Sequence, residues 1–299
     1  MAAFVQGTWH LTDRTRITAG LRYTDEEKDV DKIQILGELG TSIPDPDTLL
    51  PALGWNNHTL ADSRSETDLS PSITVQFDAT ESMMTYASFS RGFKGGGYDE
   101  ARADGAPDLF EYDAETVEAF EIGAKMELLA GAATLNVAVF SSEFDDLQVS
   151  TFEGVNFVVG NAAKATTRGV ELDGRWRVSE HLTLGGAVSF LDAEYDAFPG
   201  AACYANQSGA AGGSNRAQDL SGGDLQFAPE VTANLNAQYT VPVGNSMEFI
   251  AQLDVNYTDD ILLANDNDPH PAQTQESFTK IDARIFLAGS SGSWRVGLI

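Results

Sequence analysis

A single cysteine, Cys203, stands in the 299 residues, which excludes an internal disulfide framework and a cysteine-based zinc cluster. Positive charge is scarce: 18 Lys+Arg face 45 Asp+Glu, a formal net charge of −27. A nucleic acid or an anionic lipid surface would be repelled, so no nucleic-acid partner is expected. Long apolar runs are missing as well. No stretch approaches the roughly 18 residues of a membrane helix, and the mean hydropathy is −0.20, so a helical membrane protein is excluded. A transmembrane barrel is not, because only alternate residues of its strands meet lipid and its average hydropathy is ordinary. The opening "MAAFVQGTWH" lacks the basic start and apolar core of a secretion signal.

Helical spacing is hard to find, whereas period-two alternation runs through most of the chain. In "VTANLNAQY" (231 to 239), Val231, Ala233, Leu235, Ala237 and Tyr239 point one way and Thr232, Asn234, Asn236 and Gln238 the other. The same pattern occurs in "ITAGLRY" (17 to 23), "ITVQF" (73 to 77), "FEIGAKM" (120 to 126), "LTLGGAVSF" (182 to 190), "FIAQLDVNY" (249 to 257) and "IDARIFL" (281 to 287). In "GVELDGRWRV" (169 to 178), Glu171, Asp173, Arg175 and Arg177 share one face while Val170, Leu172, Trp176 and Val178 share the other. A one-residue slip would turn those four charges onto the apolar side, at about 2–4 kcal/mol for each arginine at mid-membrane depth. The register is therefore strongly specified.

Short turn-like links, such as "LTDR" (11 to 14), "DATE" (78 to 81), "LAG" (129 to 131), "SEH" (179 to 181) and "PVGN" (242 to 245), alternate with long polar links. The long ones are expected at 29 to 65, 94 to 113, 196 to 223 and 258 to 275, with a shorter one at 153 to 162. Tight turns at one end and long loops at the other are the pattern of an outer-membrane barrel. The count is about twelve strands, several of ten or more residues, against roughly five or six in a soluble strand. The fold class expected is all-β: an antiparallel transmembrane β-barrel, or part of one, with short periplasmic turns and long extracellular loops. Trp9, Tyr23, Phe77, Tyr86, Trp176, Phe190, Tyr239, Phe249 and Tyr257, near strand ends, are expected to form the interfacial girdles.

Catalytic constellations are missing. His10, His58, His181 and His270 make no Ser-His-Asp or His-x-x-x-His arrangement, so an enzyme is not expected. "ANDNDPH" (264 to 270) is oxygen-rich, but lacks the glycine and glutamate of an EF-hand loop. "YASFSRGFKGGGYDE" (86 to 100) carries three glycines beside a lysine, yet Lys94 precedes them and no Ser/Thr or helix follows, so it is no phosphate loop. Instead, a strand from Met83 to about Phe93 is long enough to cross a tilted barrel wall, and the glycines begin an extracellular loop.

Three stretches in order carry a resemblance: "YASFSRGFKGGGYD", then "ETVEAFEIGAKMELLAGAATLNVAVFSSEFDDLQVS", then "NAAKATTRGVELDGRWRVSEHLTLGGAVSFLDAEYDAF". With "TWHLTDRTRITAGLRYTDEEKD" before them and "SGGDLQFAPEVTANLNAQYTV" after, the chain resembles the barrel of TonB-dependent outer-membrane receptors. The resemblance implies a plugged barrel of about 22 strands in a Gram-negative outer membrane. It also implies import of a ferric siderophore or similar chelate, powered by the TonB complex through an N-terminal segment. On this reading residues 1–299 form a partial barrel without plug or last strands. Its open edges would leave backbone groups unpaired in lipid at several kcal/mol each, so these residues alone are expected not to insert stably.

Ligand contacts are expected from loops and lumen. By chemistry the candidates are Trp55, His58, Arg91, Lys94, Tyr98, Phe110 and Tyr112: aromatic faces to stack on a catecholate, haem-like or sugar ligand, cations to pair with an anionic chelate. Glu171, Asp173, Arg175 and Arg177 are expected to face the lumen and plug. No cofactor is expected. Two other readings share parts of the pattern, a passive porin-like barrel and a soluble carbohydrate-binding β-sandwich.

Overall fold

The computed structural model describes residues 1–35, 56–100, 110–153, 156–203, 217–264 and 273–299. Alternating sequence becomes strand almost throughout. The wall strands are β1 (Ala2–Thr12), β2 (Thr15–Gln34), β3 (His58–Thr80), β4 (Met83–Lys94), β5 (Glu115–Leu128) and β6 (Ala133–Glu153). They continue with β7 (Asn156–Arg177), β8 (Leu182–Ala197), β9 (Val231–Val243), β10 (Met247–Thr258), β11 (Phe278–Gly289) and β12 (Arg295–Leu298). Each pairs antiparallel with the next, so one 12-stranded sheet runs in chain order from β1 to β12. No second sheet faces it among the described residues, which removes the soluble-sandwich reading.

Strand length separates two zones. About 9–11 residues cross the hydrocarbon core of a membrane, whereas β2, β3, β6 and β7 have 20, 23, 21 and 22 residues. The surplus of about ten residues extends the wall some 30 Å beyond the crossing zone at the long-loop end. The link expected at 29 to 65 is accordingly shorter, because "DEEKDVDK" and "HTLADSRSE" are strand: Asp25 to Gln34 pair with Thr67 to His58.

Within the crossing zone one phase of the sheet is apolar from strand to strand. Ile17 lies opposite Val75, Val75 opposite Ala87, Ala87 opposite Ile122, Ile122 opposite Val139, Val139 opposite Val170, and Val170 opposite Phe190. Among the described residues nothing covers this phase: Ile122 is 60% exposed and Leu235 62%. An apolar face of this extent requires a hydrocarbon surrounding. The opposite phase is polar and satisfies itself across the strands. Arg16 forks onto Asp78 (3.1 and 3.1 Å), Asn136 donates to Asp173 (2.9 Å), Asn234 to Asn256 (2.6 Å), Gln252 to Gln238 (3.1 Å) and Arg284 to Asp254 (3.0 Å). Such cross-strand pairs contribute about 0.2–1 kcal/mol each and pin the register.

Of the aromatic residues expected in the girdles, Trp9, Tyr23, Phe77, Trp176, Phe190 and Tyr239 are exposed on the apolar phase. Tyr86 is not there. It lies three residues from Phe89, an odd spacing that puts the two on opposite faces of a strand. Its hydroxyl donates to Glu121 (2.5 Å), and its ring covers Gly123, where an added Cβ would come within 2.6 Å of the ring.

The buried core sits at the long-loop end. Val149, Ala163, Ala165 and Tyr195 from β6, β7 and β8 close with Phe198, Ala201 and Leu220 from the link that follows β8. Phe198 is fully buried, and the returning segment is stitched to β8 by Tyr195 N–H to the Gly223 carbonyl (2.9 Å) and Leu225 N–H to the Ala193 carbonyl (2.9 Å).

Candidate functional site

Above the crossing zone, β2 and β3 alternate between exposed and covered residues. Asp25, Glu27, Asp29 and Asp31 are exposed, whereas Glu26, Lys28, Val30 and Lys32, in the polar phase, are half-buried. On β3 the same phase carries Asp62, Arg64, Glu66 and Asp68, with Asp68 only 6% exposed. A segment beginning at the three glycines covers them. Gly97–Tyr98 pairs with Glu111–Tyr112 in a two-stranded ribbon, so that residues 95–100 and 110–113 lie as a strap over the β2–β3 wall.

The glycines set how closely the strap approaches. A Cβ on Gly95 would lie 2.3 Å from Glu26 Oε2, and one on Gly96 would lie 2.4 Å from the Tyr112 carbonyl oxygen and 2.6 Å from the Arg64 guanidinium. Any side chain there would push the strap off the wall. Closeness lets Lys28 Nζ donate to the Gly96 carbonyl (2.5 Å) and Arg64 Nη1 donate to the Tyr112 carbonyl (2.7 Å).

Arg64 is the hub. Its guanidinium also meets Glu66 (3.2 Å), Glu111 (2.7 Å) and Asp113 (3.6 Å), and its side chain is 12% exposed, as is that of Glu66. Three carboxylates around one buried guanidinium join wall and strap with charge-assisted bonds. The far edge of the strap is held by β6 and β7. Gln148 donates to the Gly95 and Asp113 carbonyls (3.1 and 3.0 Å), and Asn161 donates to the Asp113 carbonyl (2.8 Å). Asp99 Oδ2 accepts from Val159 N–H (3.0 Å).

On the strap, the Tyr98 and Phe110 rings stack with centroids 5.5 Å apart, and Lys32 Nζ lies 5.4 Å from the Phe110 centroid. The Tyr98 hydroxyl is buried without a hydrogen-bond partner. Burial, then the nearby Asp62 and Glu111 carboxylates, push its pKa above the ordinary 10.0. The docked strap therefore favours the neutral phenol. Docking is fully supported below pH 10 and weakens as the pH rises above 10, because a free strap ionises first. The protection of the Asp99 amide, taken relative to the intrinsic base-catalysed exchange rate at each pH, should fall across that range, and Tyr98→Phe should abolish that fall.

Of the residues selected from the sequence, Tyr98, Phe110 and Tyr112 lie together on this strap, and Lys94 ends β4 just before it. Lys94 is paired with Glu115 (3.5 Å). His58 lies three same-face positions beyond Arg64 on β3, its Nδ1 within 2.9 Å of the Asn56 carbonyl. Arg91 stands apart, in the phase of Ala87 and Phe89, and its guanidinium turns to Asp68 (3.5 Å) and the Leu69 carbonyl (3.3 Å). Trp55 and most of "ANDNDPH" fall outside the described residues. Glu171, Asp173, Arg175 and Arg177 occupy the polar phase of β7, and Arg175 and Arg177 make no ion pair among the described residues. Arg64, Lys28, Gln148 and Asn161, which clasp the strap, were not selected. The signal for Arg64 and Lys28 was alternation of mixed charge in "DSRSETD" and "EEKDVDK"; Gln148 and Asn161 carry no such local pattern.

A twelve-stranded antiparallel wall with one lipid-compatible phase and a polar phase roofed by folded-in links narrows the choice of relatives. Residues 1–298 match the β-barrel described as TonB dependent receptor-like. This chain belongs to the TonB-dependent receptor family. Among curated relatives, the TonB-dependent receptor barrel here is 27% identical over 178 residues to the pesticin receptor of Yersinia enterocolitica, covering 59% of this chain and 23% of that protein. Among solved structures it superposes on the ferric yersiniabactin uptake receptor FyuA of Yersinia pestis with a TM-score of 0.72 at 20% identity, over 95% of this chain and 37% of that one. It superposes on the copper transporter OprC with a TM-score of 0.63 at 15% identity, over 96% and 41%. The chain thus spans about a quarter of the length of the curated relatives that it matches.

Proposed function

We propose that this chain is part of the wall of a Gram-negative outer-membrane receptor that takes up a scarce nutrient, a ferric siderophore or similar anionic metal chelate, with energy supplied by the TonB complex. The observation that carries this reading is the two-phase wall of a TonB-dependent receptor whose polar phase is roofed by a charged, aromatic strap. Lipid meets the apolar phase. The polar phase lines the lumen, and the strap offers the aromatic side chains Tyr98 and Tyr112 near the exposed cation Lys94, with His58 and Trp55 as further contacts; Phe110, only 2% exposed, backs Tyr98 and does not itself meet a ligand. A ligand with catecholate or phenolate rings and net negative charge suits that surface.

The test is uptake of a radiolabelled ferric chelate by iron-starved cells that depend on the receptor carrying this chain, with a cupric chelate and a neutral sugar as competitors. Accumulation of the iron label alone supports the reading. Passive, energy-independent entry of all three would favour a porin.

Lumen-facing Arg175 and Arg177, which make no ion pair among the described residues, are read as contacts for a plug domain, with Glu171 and Asp173 beside them. Charge reversal, Arg175→Glu, is expected to loosen the plug and lower energised uptake by about tenfold, or about 1.4 kcal/mol. Unchanged uptake would remove that role.

A further inference from the structure

The β3 strand keeps a partner on one side only. Its ladder with β2 continues to the Gln34–His58 pair, but its ladder with β4 stops at Ser72 and Ser90. Pro71 stands at that point. A proline has no N–H, and it fits inside a strand only where its nitrogen faces away from a neighbour. Pro71 still lies opposite Leu21 of β2, so its nitrogen faces the β4 side. The Leu69 carbonyl faces the same way, since Arg91 of β4 donates to it (3.3 Å). Backbone direction alternates along a strand, so Thr67, Ser65, Ser63, Ala61 and Thr59 turn their N–H and C=O groups to this edge. Among the described residues no strand meets them. Only Ser63 N–H is taken, by Asp62 Oδ1 (2.8 Å).

The side chains beside this edge are small and exposed, being Thr59, Ala61, Ser63, Ser65 and Thr67. Directly across on β2, in the same phase, stand Ile33, Asp31, Asp29, Glu27 and Asp25, also exposed. The four carboxylates make no ion pair among the described residues. An added strand would lie about two strand spacings, ~9.6 Å, from that acidic row. Long cationic side chains on every second residue could lie across the small Ser and Thr side chains and reach the carboxylates. An edge that has no lysine and, among the described residues, no cover over its backbone groups is a template for strand pairing.

We propose that the β3 edge from Thr59 to Thr67 docks an extended, basic polypeptide segment by strand addition, its backbone bonded to β3 and its alternate cations to Asp25, Glu27, Asp29 and Asp31. The strap covers Arg64 and Glu66 in the polar phase of this same segment, whereas the proposed edge uses the opposite, exposed phase; the proposal does not depend on which nutrient the receptor carries.

The test uses the protein purified in detergent micelles and a fluorescent peptide of alternating Lys and Thr, about nine residues long to match the edge. Saturable binding that weakens with salt is expected. A peptide N-methylated at the residues facing β3 should bind about tenfold more weakly, because backbone bonds are lost while charge is kept. Ser65→Pro should produce a similar loss with the wall intact, since the Ser65 N–H, like the missing one of Pro71, faces away from β2. Glu27→Gln with Asp29→Asn should weaken binding several-fold and flatten its salt dependence. Absence of saturable binding would overturn the proposal. So would equal binding of the N-methylated peptide, which would leave charge attraction without strand addition.

Discussion

Arg64→Ala is expected to release the strap from the β2–β3 wall while leaving the wall itself folded. The substitution removes the one cation that Glu66, Glu111 and Asp113 share, together with the bond to the Tyr112 carbonyl. Breaking a buried ion pair by deleting one partner costs about 3–5 kcal/mol, because the other charge is stranded. Only the Glu66 contact is of that kind here, with both side chains 12% exposed; Glu111 and Asp113, at 42% and 83%, are screened by water and add little. The expected loss is therefore at the lower end, about 3 kcal/mol, which shifts the strap equilibrium by a factor of about 150. Hydrogen exchange reads this directly. The Asp99 amide, bonded to the Phe110 carbonyl (2.8 Å), and the Asp113 amide, bonded to Asn161 (2.5 Å), should lose protection. Amides of β9 and β10, remote from the strap, should keep theirs. Arg64→Lys keeps charge but loses the fork that reaches wall and strap together, and should fall between. Unaltered exchange at Asp99 and Asp113 in the alanine variant would show that the glycines and the β6–β7 amides hold the strap without the ionic hub.

The wall was legible in the sequence because it obeys one rule at every strand. Lipid on one side and water on the other impose period two, so Leu235 and Asn236, or Leu172 and Asp173, declare their sides by polarity alone. Beyond the lipid the rule lapses. Both phases of "DEEKDVDK" meet polar surroundings, which is why a paired strand reads there as a loop. Spacing explains Tyr86: polarity suggested a girdle, but three residues from Phe89 it must point the other way. The strap was legible only in part. Its three glycines announce a close approach, yet the partner that demands it, Arg64, lies 47 residues before Glu111 and on another strand. Which long link folds back, and onto which phase, follows from tertiary pairing that no local pattern records.

Placing an arginine on each of two consecutive residues of β8 separates the phases by energy. Val188 lies opposite Leu172 on one side and Ala233 on the other, within the apolar phase and between the turn-end Leu184 and the girdle Phe190. Val188→Arg puts a guanidinium into hydrocarbon near mid-depth and is expected to cost about 2–4 kcal/mol, a factor of roughly 30 to 1,000 in the folded population. Ala187, one residue earlier at the same depth, lies opposite Asp173 and Asn234 in the polar phase. Ala187→Arg meets a carboxylate and water there, and its effect should stay within about 0.5 kcal/mol. Urea titration of the receptor in phospholipid vesicles, read by tryptophan emission and by heat-modifiable mobility on gels, measures both. A large cost at 188 with none at 187 follows only if the apolar phase faces lipid and the polar phase a wet lumen. Equal costs would mean that both phases are enclosed, and the wall would have to be rebuilt as the interior of a thicker protein. The reverse order would place the lumen on the wrong side, and with it the strap, Arg175 and Arg177 of β7 and every ligand contact assigned to that face.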